Sequence, residues 1–230
     1  MKKAILFVFT SLLFTSAFGQ FRLGAEGGLT LFNTTHTAIE YDKRMEENGK
    51  YKVGGKLGLI AEYSLLKRLS VQFAPSITMK GFRDVLYFNN GSGTPESSYR
   101  WSAGINYVEL PISMLLRFGQ HLRVGAGGYY SYALSGKGKI IVTDMNGPTV
   151  TWKKDLTFDN KQTPEAVGFE KIDYGLQFSA SYLLPHNAFI QGQFSKGLND
   201  IMHEVPFQTK TETYKNWGFI ISVGWYFASF

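Results

Sequence analysis

Apolar and polar residues alternate with a period of two along this chain from Phe21 onward, the spacing that sets one face of a β-strand apart from the other. The last such segment places Trp217, Phe219, Ile221, Val223, Trp225 and Phe227 on one parity. Gly218, Ile220, Ser222, Gly224 and Tyr226 take the other. The third segment, about residues 69 to 80, sets Leu69, Val71, Phe73, Pro75, Ile77 and Met79 against Ser70, Gln72, Ala74, Ser76, Thr78 and Lys80. Similar runs occupy about 21 to 32, 52 to 65, 105 to 118, 122 to 134, 172 to 184 and, more weakly, 188 to 198. Together they predict eight strands, each with a long apolar face.

The links between these strands alternate in length. Leu66 to Arg68, Gly119 to His121 and Pro185 to Asn187 are short, whereas about 33 to 51, 82 to 104, 135 to 170 and 199 to 215 are long and polar. Short turns at one end and long loops at the other fit an up-and-down barrel crossing an outer membrane, with both termini on the periplasmic side. In lipid an unpaired backbone N–H or C=O costs several kcal/mol, so the first strand is expected to pair with the last. The predicted fold is therefore all-β, an eight-stranded antiparallel transmembrane barrel. Pro75 lacks a ladder donor and marks an expected irregularity. Lys139 to Asp144 and Thr149 to Phe158 flank an Asn146-Gly147 turn signal, which predicts a hairpin. It is read as an extension of its neighbouring strands, with a ten-strand barrel as the alternative.

The amino terminus adds a compartment. Lys2 and Lys3 precede the uncharged run Ala4 to Phe18, and small residues at Ala17 and Gly19 suit cleavage before Gln20. Residues 1–19 are read as a signal peptide and residues 20–230 as one barrel domain. Loss of the two lysines lowers the formal charge from +6 to +4. The remaining basic residues are scattered singly among acids, which argues against nucleic-acid binding. No Cys is present, so neither a disulfide nor a thiolate metal site is available.

At eight strands a barrel interior holds side chains rather than a water column. The inward parity collects Arg22, Lys52, Lys56, Lys80, Arg117, Arg123 and Lys171 with Glu26, Glu62, Glu109 and Asp173. Charges there persist only when paired, which points to a luminal polar network. No cofactor or metal is expected, because Asp42, Glu46 and Glu47 are interrupted by Lys43 and Arg44 in a solvated segment. Asp200, His203 and Glu204 form a conceivable acid–base group at the loop rim, but a loop His near acids is ordinarily surface, and no catalytic residue is assigned. The outward parity of the last strand, Trp217, Phe219, Ile221, Val223, Trp225 and Phe227, is read as lipid-facing, and with the terminal Phe230 it makes up the assembly strand. Counted through, Phe230 falls on the inward parity, so the insertion signal is expected at Trp225-Tyr226-Phe227 with Ala228 to Phe230 as a tail.

Tyr107-Val108-Glu109-Leu110-Pro111, the run Gly125-Ala126-Gly127-Gly128-Tyr129 through Leu134-Ser135-Gly136-Lys137, and Met79-Lys80-Gly81 resemble the PorT-like outer-membrane β-barrel proteins of Bacteroidetes. That resemblance implies a porin-family barrel in the cell outer membrane. The expected role is structural or loop-mediated binding, with a small-solute porin or transporter, or an envelope component of a secretion system, as alternatives. Expected partners are outer-membrane lipid and lipopolysaccharide, the barrel-assembly machinery during insertion, and envelope proteins.

Overall fold

The computed structural model describes residues 21–37, 45–47, 50–89, 95–144, 148–158, 168–202 and 213–229. Residues 1–19 and Phe230 lie outside them, as do His203, Glu204 and the Asn146-Gly147 turn. The strands are β1 (Phe21–Thr37), β2 (Met45–Glu47), β3 (Lys50–Leu66), β4 (Leu69–Phe73), β5 (Ser76–Asn89), β6 (Pro95–Phe118), β7 (Leu122–Asp144), β8 (Val150–Asp155), β9 (Ile172–Leu183), β10 (Ala188–Gly197) and β11 (Thr213–Ser229). All their pairings are antiparallel.

A closed ring runs β1, β3, β4 with β5, β6, β7, β9, β10, β11 and back to β1. β4 and β5 are two halves of one stave, each paired with β3 on one side and β6 on the other. The break falls at Ala74 and Pro75, as the missing Pro N–H requires. There the Leu59 N–H donates to the Pro75 carbonyl at 2.9 Å, and the Ala74 N–H donates to the Pro111 carbonyl at 3.2 Å. The ring thus holds eight staves.

The seam between first and last strands extends from Arg22 opposite Ser229 to Thr37 opposite Thr213. Its one irregularity corrects the expected tail. Leu23 faces Ala228 while Gly24 faces Tyr226, so Phe227 is an extra residue, and Ala228 and Ser229 belong to the ladder. A bulge of this kind resets the two-residue alternation, so parity counted from Trp217 does not carry past it.

Burial is inverted relative to a protein in water. Leu57 (71% exposed), Leu29 (65%) and Val223 (61%) stand outward, while Glu62, Glu109 and Asp173 are wholly buried inside. An apolar surface running round the whole ring is far larger than water tolerates, and it is the surface a bilayer covers.

At the loop end the strands outrun their expected limits. Within the span 82 to 104, read from the sequence as a polar link, residues 82–89 and 95–104 continue the β5–β6 ladder, from Phe82 opposite Ala103 to Phe88 opposite Ser97. β9 leaves β7 at Tyr132 opposite Ile172, and β8 then takes its side from Lys137 opposite Asp155 to Val142 opposite Val150. The hairpin is therefore an extension outside the ring. β2, pairing with β5 at Met45 opposite Phe88, adds to the same extension. At the turn end, Gly119 adopts φ +64, and His186 and Asn187 both adopt left-handed conformations that His and Asn tolerate. The Trp225 indole N–H fixes this last turn by donating to the His186 carbonyl at 2.8 Å.

Leu59→Arg, at mid-strand on the outward face, is expected to cost about 2 to 4 kcal/mol, whereas Leu59→Ala costs far less. Reversible urea unfolding from lipid vesicles measures both; equal midpoints would show that this face does not meet lipid.

Candidate functional site

The inward face of every stave converges on the lumen, and its charges gather in layers. Nearest the turns, Arg22 of β1 and Arg123 of β7 share Glu62 of β3: Arg22 Nη2 lies 2.7 Å from Oε1 and Arg123 Nη1 2.6 Å from Oε2. The Tyr226 hydroxyl donates to Glu62 Oε2 at 2.7 Å, and Arg123 Nε donates to Ser181 Oγ at 3.1 Å. Both guanidiniums lie over the Tyr226 ring, at 5.0 and 5.5 Å from its centroid. Each fork meets its acceptors and an aromatic face at once, an arrangement that arginine suits and lysine does not.

In the next layer the Lys56 ammonium reaches Glu26 Oε1 at 2.6 Å, and Ser222 Oγ donates to Glu26 Oε2 at 3.0 Å. Gln193 Nε2 donates to Gln177 Oε1 at 2.8 Å, and Gln177 Nε2 donates to Ser113 Oγ at 2.5 Å. These amides tie β10, β9 and β6 across the lumen. Their inward parity is visible in sequence, yet nothing in the pattern says that they meet.

Above them Lys80 of β5 is surrounded. Its ammonium lies 2.6 Å from Glu109 Oε2 of β6 and 3.0 Å from Asp173 Oδ2 of β9, with all three side chains wholly buried. Ser131 donates to Glu109 at 3.1 Å, while Tyr129 and Asn216 donate to Asp173 at 3.3 and 3.0 Å. The rings of Tyr129, Tyr107 and Phe32 close around the ammonium, at 3.8, 5.4 and 5.5 Å from their centroids. Gly175 makes room for this cage, because a Cβ there would come within 2.8 Å of the Tyr129 ring.

Three basic residues assigned to the lumen by parity take other places. The Lys52 ammonium donates to Ser102 Oγ at 2.9 Å. Ser102 is on the outer face, between the inward Trp101 and Ala103, so Lys52 leaves the luminal set. The physical reason is a register shift between β3 and β5 from Tyr51 to Lys56, which interrupts simple alternation. Arg117, directly across from Arg123, stays half-buried at the turn-end rim. Lys171 precedes β9 at the loop end, half-buried, and its carbonyl takes the Ala133 N–H at 2.7 Å.

Two apolar clusters bracket the charges. Ile60, Ala74, Phe189 and Tyr226 pack toward the turns. Phe82, Ala103, Ile105, Tyr107, Ala133 and Phe169 pack toward the loops, joined by Trp101 and Met202. Phe82 meets Trp101 edge-on with centroids 4.8 Å apart. Phe169 arrives from a link rather than a stave. It is held where its N–H donates to the Thr157 carbonyl at 3.0 Å and the Glu170 N–H donates to the Ile201 carbonyl at 2.9 Å. Sequence parity could not have supplied it, since it lies outside any alternating run.

The ring, its apolar outside and its packed charged inside are those of an outer-membrane barrel, and a family model agrees. The outer membrane protein beta-barrel domain model matches residues 14–203, well over half of the chain. The chain belongs to that family. A search of curated proteins finds no match. Among solved structures, Ail, the attachment invasion locus protein of Yersinia pestis, is 13% identical, with 90% of this chain and 99% of that one covered, at a TM-score of 0.40. Neisserial surface protein A is 9% identical over 89% and 97% of the two chains, TM-score 0.41. OprG from Pseudomonas aeruginosa is 12% identical over 92% and 97%, TM-score 0.38. No role is carried from them to this chain.

The rim acid Asp200 serves the backbone. Asp200 Oδ1 accepts the Met202 and Tyr214 N–H groups, each at 3.1 Å, which pins the link between β10 and β11. His121 stacks on Tyr182 with centroids 5.4 Å apart. Among the described residues no group of three or more His, Cys, Asp or Glu side chains is placed to hold a metal ion.

Lys80→Met leaves Glu109 and Asp173 buried without their cation and is expected to destabilise the barrel by about 3 to 5 kcal/mol. Combining it with Glu109→Gln and Asp173→Asn removes the stranded charges and should restore most of that loss. Urea unfolding in detergent micelles distinguishes the two; a triple variant as unstable as Lys80→Met would refute the compensation.

Proposed function

We propose that this barrel, after removal of residues 1–19, resides in the outer membrane with its loops outward and acts as a non-conducting structural or binding protein. The observation that carries this reading is the wholly buried Lys80, Glu109 and Asp173 group, closed toward the loops by the Phe82, Trp101 and Phe169 packing. An ion moving along the lumen would have to break two wholly buried ion pairs and displace that aromatic layer. Hydrogen-bonded buried pairs resist this strongly.

The extension formed by β2, β8 and the outer parts of β5, β6 and β7 is then the surface offered to partners. Its β8 edge carries exposed Val150 and Trp152, at 41% and 52%. The resemblance of Tyr107 to Pro111 and Gly125 to Lys137 to PorT-like proteins supports an envelope role of this kind. Lipopolysaccharide around the barrel, the assembly machinery at insertion and envelope proteins at the extension are the partners that fit.

Purified protein in planar bilayers should give no stable conductance steps, while running in detergent gels with heat-modifiable mobility. Long-lived large steps from heat-modifiable protein would overturn the closed lumen and favour a porin.

A further inference from the structure

Cations line up across the outer face just above the apolar belt, and they do so in register. Lys50 of β3 pairs with Arg83 of β5, Arg83 with Ser102 of β6, Ser102 with Lys139 of β7, and Lys139 with Lys153 of β8. Lys52 joins the row through its hydrogen bond to Ser102 and stands close enough to Arg83 to feel its charge. Arg100 and Lys137 lie two residues above and below Ser102 and Lys139 on the same faces, both exposed. The row is thus a band of positive charge across four staves and the added β8 strand.

Like charges directly opposite one another on neighbouring strands are destabilising, yet here Lys139 faces Lys153 and Lys50 faces Arg83. No described carboxylate stands directly across a ladder from Arg83, Lys139 or Lys153; Asp155 is opposite Lys137. The side chains below the row are lipid-facing: Ile77 on β5, Tyr132 and Leu134 on β7. A ligand meeting both zones carries acyl chains and anionic groups spread over the width of several strands.

We propose that this row is a binding site for the phosphorylated sugar headgroup of an outer-leaflet glycolipid, its phosphates shared by Arg83, Lys139 and Lys153 and its chains lying on the apolar belt. Arg presents a planar fork to phosphate and Lys a point charge, and phosphates set between the opposed cations relieve their repulsion. The inference rests on the outward orientation of the loops proposed above.

Native mass spectrometry of the full mature barrel in detergent tests it, with phosphorylated lipid A, the same lipid A after dephosphorylation, and phosphatidylglycerol as probes. Phosphorylated lipid A should bind at least tenfold more tightly than either other lipid. In the triple variant Arg83→Ala, Lys139→Ala, Lys153→Ala, which alters exposed side chains and should keep heat-modifiable mobility, this preference should vanish. Undiminished binding by the triple variant, or equal binding of dephosphorylated lipid A, overturns the site. Equal binding of phosphatidylglycerol overturns its glycolipid specificity. Labelling of Lys139→Cys on whole cells by a membrane-impermeant thiol reagent reads the orientation separately, because the chain has no other Cys. Labelling of this variant together with no lipid preference in the unsubstituted barrel refutes this inference alone, and absence of labelling in intact cells refutes the orientation with it.

Discussion

Everything in this protein depends on the pairing of β1 with β11. A strand edge facing lipid leaves its N–H and C=O groups without water or partner, so the sheet has to close. Closure turns one parity of every stave outward and the other into a confined lumen. The small stave count then makes that lumen a packed interior rather than a channel. Pairing also tolerates local faults: the Ala74-Pro75 break and the extra Phe227 are absorbed because flanking ladder bonds continue on either side.

Closure obliges the lumen to be self-sufficient in charge and hydrogen bonds. Among the described residues its three ion-pair groups differ in balance. Two arginines meet one glutamate near the turns, one lysine meets one glutamate in the next layer, and one lysine meets two acids beneath the loop-end aromatics. Burying such groups costs desolvation free energy, and good geometry recovers it only in part. Each pair spans different staves, so it forms with full strength only when the register is right. The network thereby links assembly accuracy to the same interactions that fill the lumen, with apolar packing above and below it.

Outside the bilayer zone the rules change. The ladder of β5, β6 and β7 rises past the last ring contacts of β9, and β8 and β2 widen it. Its inward face continues the luminal aromatics, whereas its outward face exchanges apolar side chains for cations. One sheet therefore passes through lipid and interface without a break in its hydrogen bonding, and the composition of each face follows the medium it meets.

Periodicity by itself determined the stave count, the faces of Leu59 or Val223 and the inward parity of Glu62, Lys80, Glu109 and Asp173, because a strand has only two sides and each side here has one solvent. The Pro75 irregularity was equally legible, since a missing N–H is a property of the residue. Tertiary structure decided what alternation cannot encode. Bulges moved Lys52 to the outer face and brought Ala228 and Ser229 into the ladder. Residues 82–89 and 95–104 became strands through pairing with each other rather than through an apolar face. Phe169 entered the lumen from a link, and Lys80 found Asp173 across the barrel, where distance in space bears no relation to distance along the chain. Which cation meets which acid depends on register and closure together, and those belong to the folded ring.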